Sequence, residues 1–311
     1  MFLKDKDNNI RIIGGEPSNL LQQLDTGIYN LKVNESFFGK SIELIPTLRY
    51  NVDFNITAGV YDDVVNYVND FIDPIMIETR KELNKINKLG LLFNGDPGTG
   101  KTFLAGQLGY YLGKVKNAVT IIVEGTQKSF DFASLVDQIR EYDKNRFIVI
   151  IFDEFEKDYC NTNLLSFLDG ASSKENSLII ATTNNTNNLP KWVVERPGRF
   201  ERIYEFSITD KVVFESIVNC MLPEIYHTKI NIDDIYNICV ASGLTIDNIG
   251  IEVRNALFRY KKQLIDPKYI ESNPYKIPSN NTQVEKIEEN NEDNDYEECS
   301  AVNFVTELSQ N

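Results

Sequence analysis

The residues best suited to chemistry fall in three short runs: NGDPGTGKTF at 94–103, FDEFE at 152–156 and ERPGRFER at 195–202. The first has Gly95, four residues, then Gly100-Lys101-Thr102, the full spacing of a phosphate-binding loop. Glycines let a backbone curl around phosphate oxygens, and a following helix offers its positive N-terminus. Lys101 is then expected to reach the β- and γ-phosphates and Thr102 to give a hydroxyl to Mg²⁺. Asp153 and Glu154 follow the apolar run Ile148–Phe152, where a buried strand should end. At the C-terminal edge of a parallel sheet, Asp153 is placed to hold Mg²⁺ and Glu154 to polarise an attacking water. A third apolar run, SLIIATT, delivers Asn184 to the same edge, where its amide could hold that water against the γ-phosphate. Pro197 and Gly198 make a stiff corner from which Arg196 and Arg199 should project, toward phosphate or toward Glu195 and Glu201.

The elements that must position these groups can be read from apolar periodicity. Residues 1–58 are strand-prone and turn-punctuated, a β-rich N-terminal region with no evident chemistry. In DDVVNYVNDFIDPIMIETRKELN the spacing of Val65, Val68 and Ile72 predicts a helix that Pro74 interrupts. Over 59–208 short apolar runs (LGLLFN, AVTIIV, RFIVIIF, SLIIATT) alternate with helical patterns, which predicts a parallel sheet covered on both faces. Residues 209–266 read as helices alone, a small lid, and 267–311 as an acidic, disordered tail. The expected fold is therefore α/β: a P-loop NTPase parallel sheet flanked by helices, with an all-helical lid and the β-rich N-terminal region.

Composition narrows the classes further. A net charge of −14 argues against gripping nucleic acid through the overall field. Lys128, Arg140, Lys144 and Arg146 could still line a local basic channel. Cys160, Cys220, Cys239 and Cys299 lack metal-site spacing and His227 is the single histidine, so zinc chemistry is not expected. Thiols without a disulfide pattern and the absence of a long apolar run predict a cytoplasmic chain without a membrane segment. The richness in Asn, Ile, Lys and Asp fits an AT-rich genome, a viral one included, in which case the compartment is the host cytoplasm.

NGDPGTGKT, IIFDEFE, LLSFLDG, IIATTNN and VERPGRFER, in this order and spacing, resemble the AAA+ ATPases. The likeness covers residues 60–265 and falls within the protein-remodelling branch. The run from LLSFLDG to RPGRFER is most similar to the mitochondrial inner-membrane AAA translocase, without its membrane segment. The resemblance implies ATP and Mg²⁺ as ligands, with Gly95, Asp96, Pro97, Gly98, Thr99, Gly100, Lys101, Thr102 and Phe103 contacting nucleotide. Thr102 and Asp153 would hold the metal, while Glu154 and Asn184 would serve catalysis. It also implies a homo-oligomeric, hexameric ring in which Arg196 and Arg199 enter the neighbouring subunit's site, and a protein client. Arg254 would be either a second-sensor residue or an exposed helix arginine. The family's pore loop should lie in EGTQKSF, where its aromatic-apolar-glycine pattern is absent and Lys128 or Phe130 could stand in. The other expectation is a nucleic-acid motor or loader on the same engine.

Overall fold

The protein is described here from a computed structural model, which covers residues 2–4, 10–12, 24–36, 39–50, 56–124, 131–141, 143–156, 167–168, 175–194 and 198–266. Arg196, Lys128, Phe130 and the tail beyond 266 lie outside these residues.

Three apolar runs become fully buried strands: β6 (Val119–Val123), β7 (Ile148–Phe152) and β8 (Ser177–Thr183). Uninterrupted apolar runs are what a strand covered on both faces requires, each large side chain contributing roughly 2 kcal/mol of transfer free energy. With β5 (Lys88–Gly95) and β9 (Arg202–Phe206) they pair in parallel, in the order β6-β7-β8-β5-β9. Because the pairing is parallel, every connection between these strands crosses over, which brings the C-terminal ends of β5, β7 and β8 to one edge.

The N-terminal strands join the same sheet. β3 (Gly27–Ser36) pairs with β6 in parallel, and β4 (Gly39–Pro46), β2 (Ile10–Ile12) and β1 (Phe2–Lys4) add outward as antiparallel neighbours. Among the described residues the sheet thus has nine strands, with order β1-β2-β4-β3-β6-β7-β8-β5-β9.

Helix α1 (Gly59–Ile72) buries Tyr61, Val64, Val68, Phe71 and Ile72, so its inward stripe is set by Val64 rather than Val65. Pro74 does not merely break this helix; it occupies the first position of a second one, α2 (Pro74–Glu82). The Asp73 carboxylate caps that start, accepting from the Ile75 amide at 2.8 Å, and proline needs no hydrogen-bond partner there. Helix α3 (Lys101–Lys116) follows the phosphate-loop glycines, α4 (Phe132–Ile139) is capped by Asp131, and α5 (Lys191–Val194) is a single turn.

The chain divides into two compact units, Met1–Ser207 and Ile208–Asn311. In its described part the second unit is helical: α6 (Lys211–Met221), α7 (Ile232–Ser242) and α8 (Ile246–Ile265), started by Asp210, Asn231 and Thr245 caps. Its core includes Phe214, Ile217, Ile235, Cys239 and Ile249, with Phe214 edge-on to Tyr236 at 5.0 Å. Burial pushes the Cys239 and Cys220 thiols up to about 11, which keeps them protonated and inert.

Candidate active site

The ends of β5, β7 and β8 bring Lys101, Thr102, Asp153 and Asn184 together. Gly98 and Gly100, with φ of 78° and 80°, carry the loop through left-handed backbone that side-chain-bearing residues avoid, and Gly100 caps α3. Asp96, Pro97 and Gly98 are exposed, whereas Thr99 is buried with its hydroxyl donating to the Asp96 carbonyl at 2.7 Å.

Lys101 is 6% exposed. Its ammonium donates to the carbonyls of Gly95 (2.6 Å) and Asp96 (2.9 Å) and to Asn184 Oδ1 (3.2 Å). Every one of those acceptors is uncharged. Desolvation lowers the Lys101 pKa from its ordinary value, while the carboxylates of Glu156, Asp153 and Asp96 oppose that shift. A sheltered cation bonded to neutral oxygens among the described residues is suited to receive an anion.

Beside it, the Thr102 hydroxyl donates to Asp153 Oδ1 at 2.5 Å. A hydroxyl and one carboxylate in contact form the hard-oxygen set that Mg²⁺ takes when the remaining ligands are water and substrate phosphate. The residues therefore fit a magnesium nucleotide, with Thr102 and Asp153 toward the metal and Lys101 toward phosphate. Thr102 and Asp153 would hold such a metal, which would supply positive charge to offset that developing on phosphate.

Glu154 stands at φ +50°, a left-handed conformation that costs about 1–3 kcal/mol in a residue with a side chain. Its amide donates to the Thr182 hydroxyl at 3.1 Å, and that hydroxyl donates onward to Asp153 Oδ1 at 2.7 Å. One buried threonine thus fixes both acids at the strand end and leaves the Glu154 side chain exposed. Thr182 is not singled out by the sequence, because a threonine inside an apolar run reads as strand filler. Glu156, one acid in a charged turn, is not singled out either; its carboxylate accepts from the Asn184 backbone N–H at 3.0 Å.

Two tyrosines steady the loop from its flanks. The Tyr61 hydroxyl donates to the Thr99 carbonyl at 2.5 Å, and its ring meets Phe206 edge-on at 5.3 Å. Tyr50 lies 6.1 Å from the Phe103 ring and directly over Gly106, where any Cβ would collide with it. Burial is the largest cause raising the Tyr50 hydroxyl to about 12, with Asp153 and Glu124 adding to it and Arg49 opposing. Within a helix-forming apolar pattern, Tyr61 looks like core alone.

The arginine corner is not where its sequence suggests. Arg199 does not project; it is 3% exposed. Its carbonyl sits against Gly90, where a Cβ would clash, and the Glu201 amide donates to the Gly90 carbonyl at 2.8 Å. Arg199 and Glu201 are therefore seated on the start of β5. Because β9 pairs Leu91 with Arg202 and Gly95 with Phe206, Arg199 lies at the opposite end of β5 from the phosphate loop. Five residue steps along the strand separate Gly90 from Gly95, about 17 Å, beyond the reach of Arg199 toward its own chain's Lys101. Arg202 lays its guanidinium over the Tyr67 ring at 4.0 Å, and Tyr67 donates to Glu201.

Other expected residues fall elsewhere. Arg140 and Arg146, read as possible channel residues, are buried at 7% and 9% exposure. Arg140 donates to the carbonyls of Arg146 (3.0 Å) and Asn176 (2.9 Å), and Arg146 to the Leu24 carbonyl (3.1 Å) and the Thr26 hydroxyl (2.9 Å) with Asp143 beside it at 3.9 Å, so both are engaged within the fold. Lys144 is exposed, as is Arg254 on α8 in the second unit. Asn185 accepts from the Asn187 amide at 2.9 Å and Asn187 and Asn188 sit in a 3-10 turn, which leaves Asn184 as the amide on Lys101.

Residues 91–208 match the family described as "ATPase family associated with various cellular activities (AAA)". These residues form an AAA ATPase domain. The chain is 30% identical over 239 residues to a proteasome-activating nucleotidase of Saccharolobus solfataricus, covering 70% of this chain and 58% of that protein. It is 30% identical over 179 residues to the ATP-dependent zinc metalloprotease FtsH 2 of a Thermoanaerobacter species, covering 50% of this chain and 33% of the relative. It is also 26% identical over 188 residues to the ATPase with bromodomain protein abo2 of Schizosaccharomyces pombe, covering 52% of this chain and 15% of the relative. The chain therefore spans less than two thirds of the length of the curated relatives it matches. Among the described residues no helix is long and apolar enough to cross a membrane.

Proposed function

We propose that this chain is a Mg²⁺-dependent ATPase that works as a homo-oligomeric, hexameric ring and couples hydrolysis to remodelling or translocating a protein partner. The observation that carries the hydrolytic part is the cluster of Lys101, Thr102, Asp153 and Asn184 on one sheet edge inside an AAA domain. In this reading Lys101 binds β- and γ-phosphate oxygens, and Thr102 with Asp153 orients the metal. Glu154, held off the strand end by Thr182, accepts a proton from the attacking water. Asn184 keeps that water in line.

The distance between the arginine corner and the chain's own phosphate loop supports a finger acting on a neighbouring subunit. Arg196 and Arg199 are assigned that role, since a planar guanidinium suits the charge that moves onto phosphate oxygens during transfer; for Arg199, 3% exposed in the single chain, this requires that contact with the neighbour turn its side chain outward. Similarity to a proteasome-activating nucleotidase supports a protein client. The motif likeness to the mitochondrial inner-membrane AAA translocase is compatible with either remodelling or translocation of that client, and the cytoplasm is the proposed compartment. A nucleic-acid motor is disfavoured because Arg140 and Arg146, its best basic candidates, are committed to backbone carbonyls.

Mixing Glu154→Gln with Arg199→Ala subunits tests the ring. If the finger acts in trans, some interfaces pair an intact Glu154 with an intact arginine, so mixed rings recover hydrolysis that neither variant shows alone. Mixed rings that form, confirmed by native mass spectrometry, and still fail to hydrolyse ATP would refute the assignment.

A further inference from the structure

The DEFE run contributes a third acid that neither the metal set nor the water-activating role uses. Glu156 accepts the Asn184 backbone N–H on Oε1 at 3.0 Å, while its Oε2 is enclosed without a hydrogen-bond partner among the described residues. The other face of the same asparagine is engaged by the phosphate loop, its Oδ1 accepting from Lys101 at 3.2 Å. Lys101 in turn grips the Gly95 and Asp96 carbonyls. A continuous set of hydrogen bonds therefore runs from the turn after β7, through the end of β8, into the loop.

We infer that Glu156 is a positioning residue: by holding the Asn184 amide it sets where the Asn184 side chain meets Lys101 and the γ-phosphate. A half-buried carboxylate with an unpartnered oxygen is costly where it serves packing alone. Here Lys101 supplies the compensating field, since Glu156 is the leading carboxylate acting on that ammonium. Asn184 also needs an external anchor. It is the first residue beyond β8, with the ladder finished at Thr183, so the sheet does not hold its amide. The next turn is held by its own Asx contacts, Asn185 to Asn187 at 2.9 Å. The inference rests on the ATPase reading for its kinetic consequence but not for its structural one.

The test uses the full chain with Glu156→Ala, Glu156→Asp and Glu156→Gln. Hydrogen exchange across 177–185 reads the Asn184 amide directly; a fluorescent ATP analogue in EDTA reads affinity; turnover is measured with Mg²⁺. Alanine removes the acceptor and aspartate withdraws it by one methylene. Both should speed exchange at Asn184 and lower kcat about tenfold, with affinity within about twofold, as a misplaced group costs turnover more than binding. Glutamine keeps an acceptor oxygen and should retain both protection and most of the turnover. Unchanged exchange and kcat in Glu156→Asp would overturn the inference, and so would a Glu156→Gln variant as impaired as alanine. If the parent chain itself does not hydrolyse ATP, the proposed function fails, while the exchange arm still decides the role of Glu156.

Discussion

The two ends of the parallel strands carry similar side chains and treat them in opposite ways. At the C-terminal edge, Lys101 bonds three neutral oxygens, and Thr102 and Thr182 share one oxygen of Asp153. At the N-terminal edge, Arg140 and Arg146 are stitched into carbonyls of residues 146, 176 and 24, with Asn87 and Asn176 joined side chain to side chain at 2.9 Å. Burial pushes the Arg140 guanidinium down to about 10, still charged at neutral pH. Its donors close off strand ends and connections that would otherwise present buried carbonyls. A cation near a strand end therefore indicates neither binding nor structure by its type. What differs is the setting: Lys101 lies beside the exposed loop residues Asp96, Pro97 and Gly98 and the Thr102–Asp153 pair, whereas Arg140 and Arg146 are buried among the connections that lead into the strands.

If that contrast is right, substitutions at the two edges should separate binding and turnover from stability. The largest effect is expected from Glu154→Gln, which should lower kcat by about 10²–10⁴-fold while ATP still binds, measured by phosphate release and equilibrium binding. Lys101→Ala should weaken ATP binding about a hundredfold, read by titration calorimetry, with the melting temperature preserved. At the opposite edge, Arg140→Met should do the reverse. It leaves the Arg146 carbonyl without its donor and takes one of two from the Asn176 carbonyl, which keeps the Ile148 amide at 3.1 Å, costing about 1–3 kcal/mol in denaturant unfolding with nucleotide affinity unchanged. Loss of affinity in Arg140→Met would erase the distinction between the edges.

Smaller effects refine it. Tyr61→Phe removes the strut to the Thr99 carbonyl and should cost about 1 kcal/mol, read as a modest rise in KM with kcat retained. The smallest is a pH effect. Because the Lys101 pKa is lowered from 10.5, its charge is lost at a lower pH than in an unfolded chain. ATP affinity should therefore decline on the alkaline side before pH 10.5. The sign for stability is opposite: between the folded and unfolded pKa values the unfolded state binds more protons, so the contribution of this group to stability rises with pH. Affinity measured from neutral to alkaline pH, with Lys101→Ala as the flat control, checks the first.

Several features are legible without the fold. The glycine spacing before Lys101, the run Ile148–Phe152 ending in acids and the run Ser177–Thr183 ending at Asn184 each announce a strand edge. The structure has strands ending at Gly95, Phe152 and Thr183. Thr182, Glu156 and Tyr61 were not legible, since their partners lie 28 to 38 residues away in sequence. The seating of Arg199 on Gly90 depends on a pairing between β5 and β9 that the Pro-Gly corner does not specify.

The sequence by itself determined which segments are buried strands, where left-handed glycines turn the phosphate loop, and which acids terminate a strand. Those properties follow from local steric preference and from apolar runs that cannot remain in water. Only the tertiary structure decided which polar group answers which: Asn184 with Glu156 and Lys101, Thr182 with Asp153, and the arginines of the far edge with backbone carbonyls. A hydrogen bond needs its two atoms within about 3 Å, and strands separated in sequence meet that condition only once crossovers have set their order.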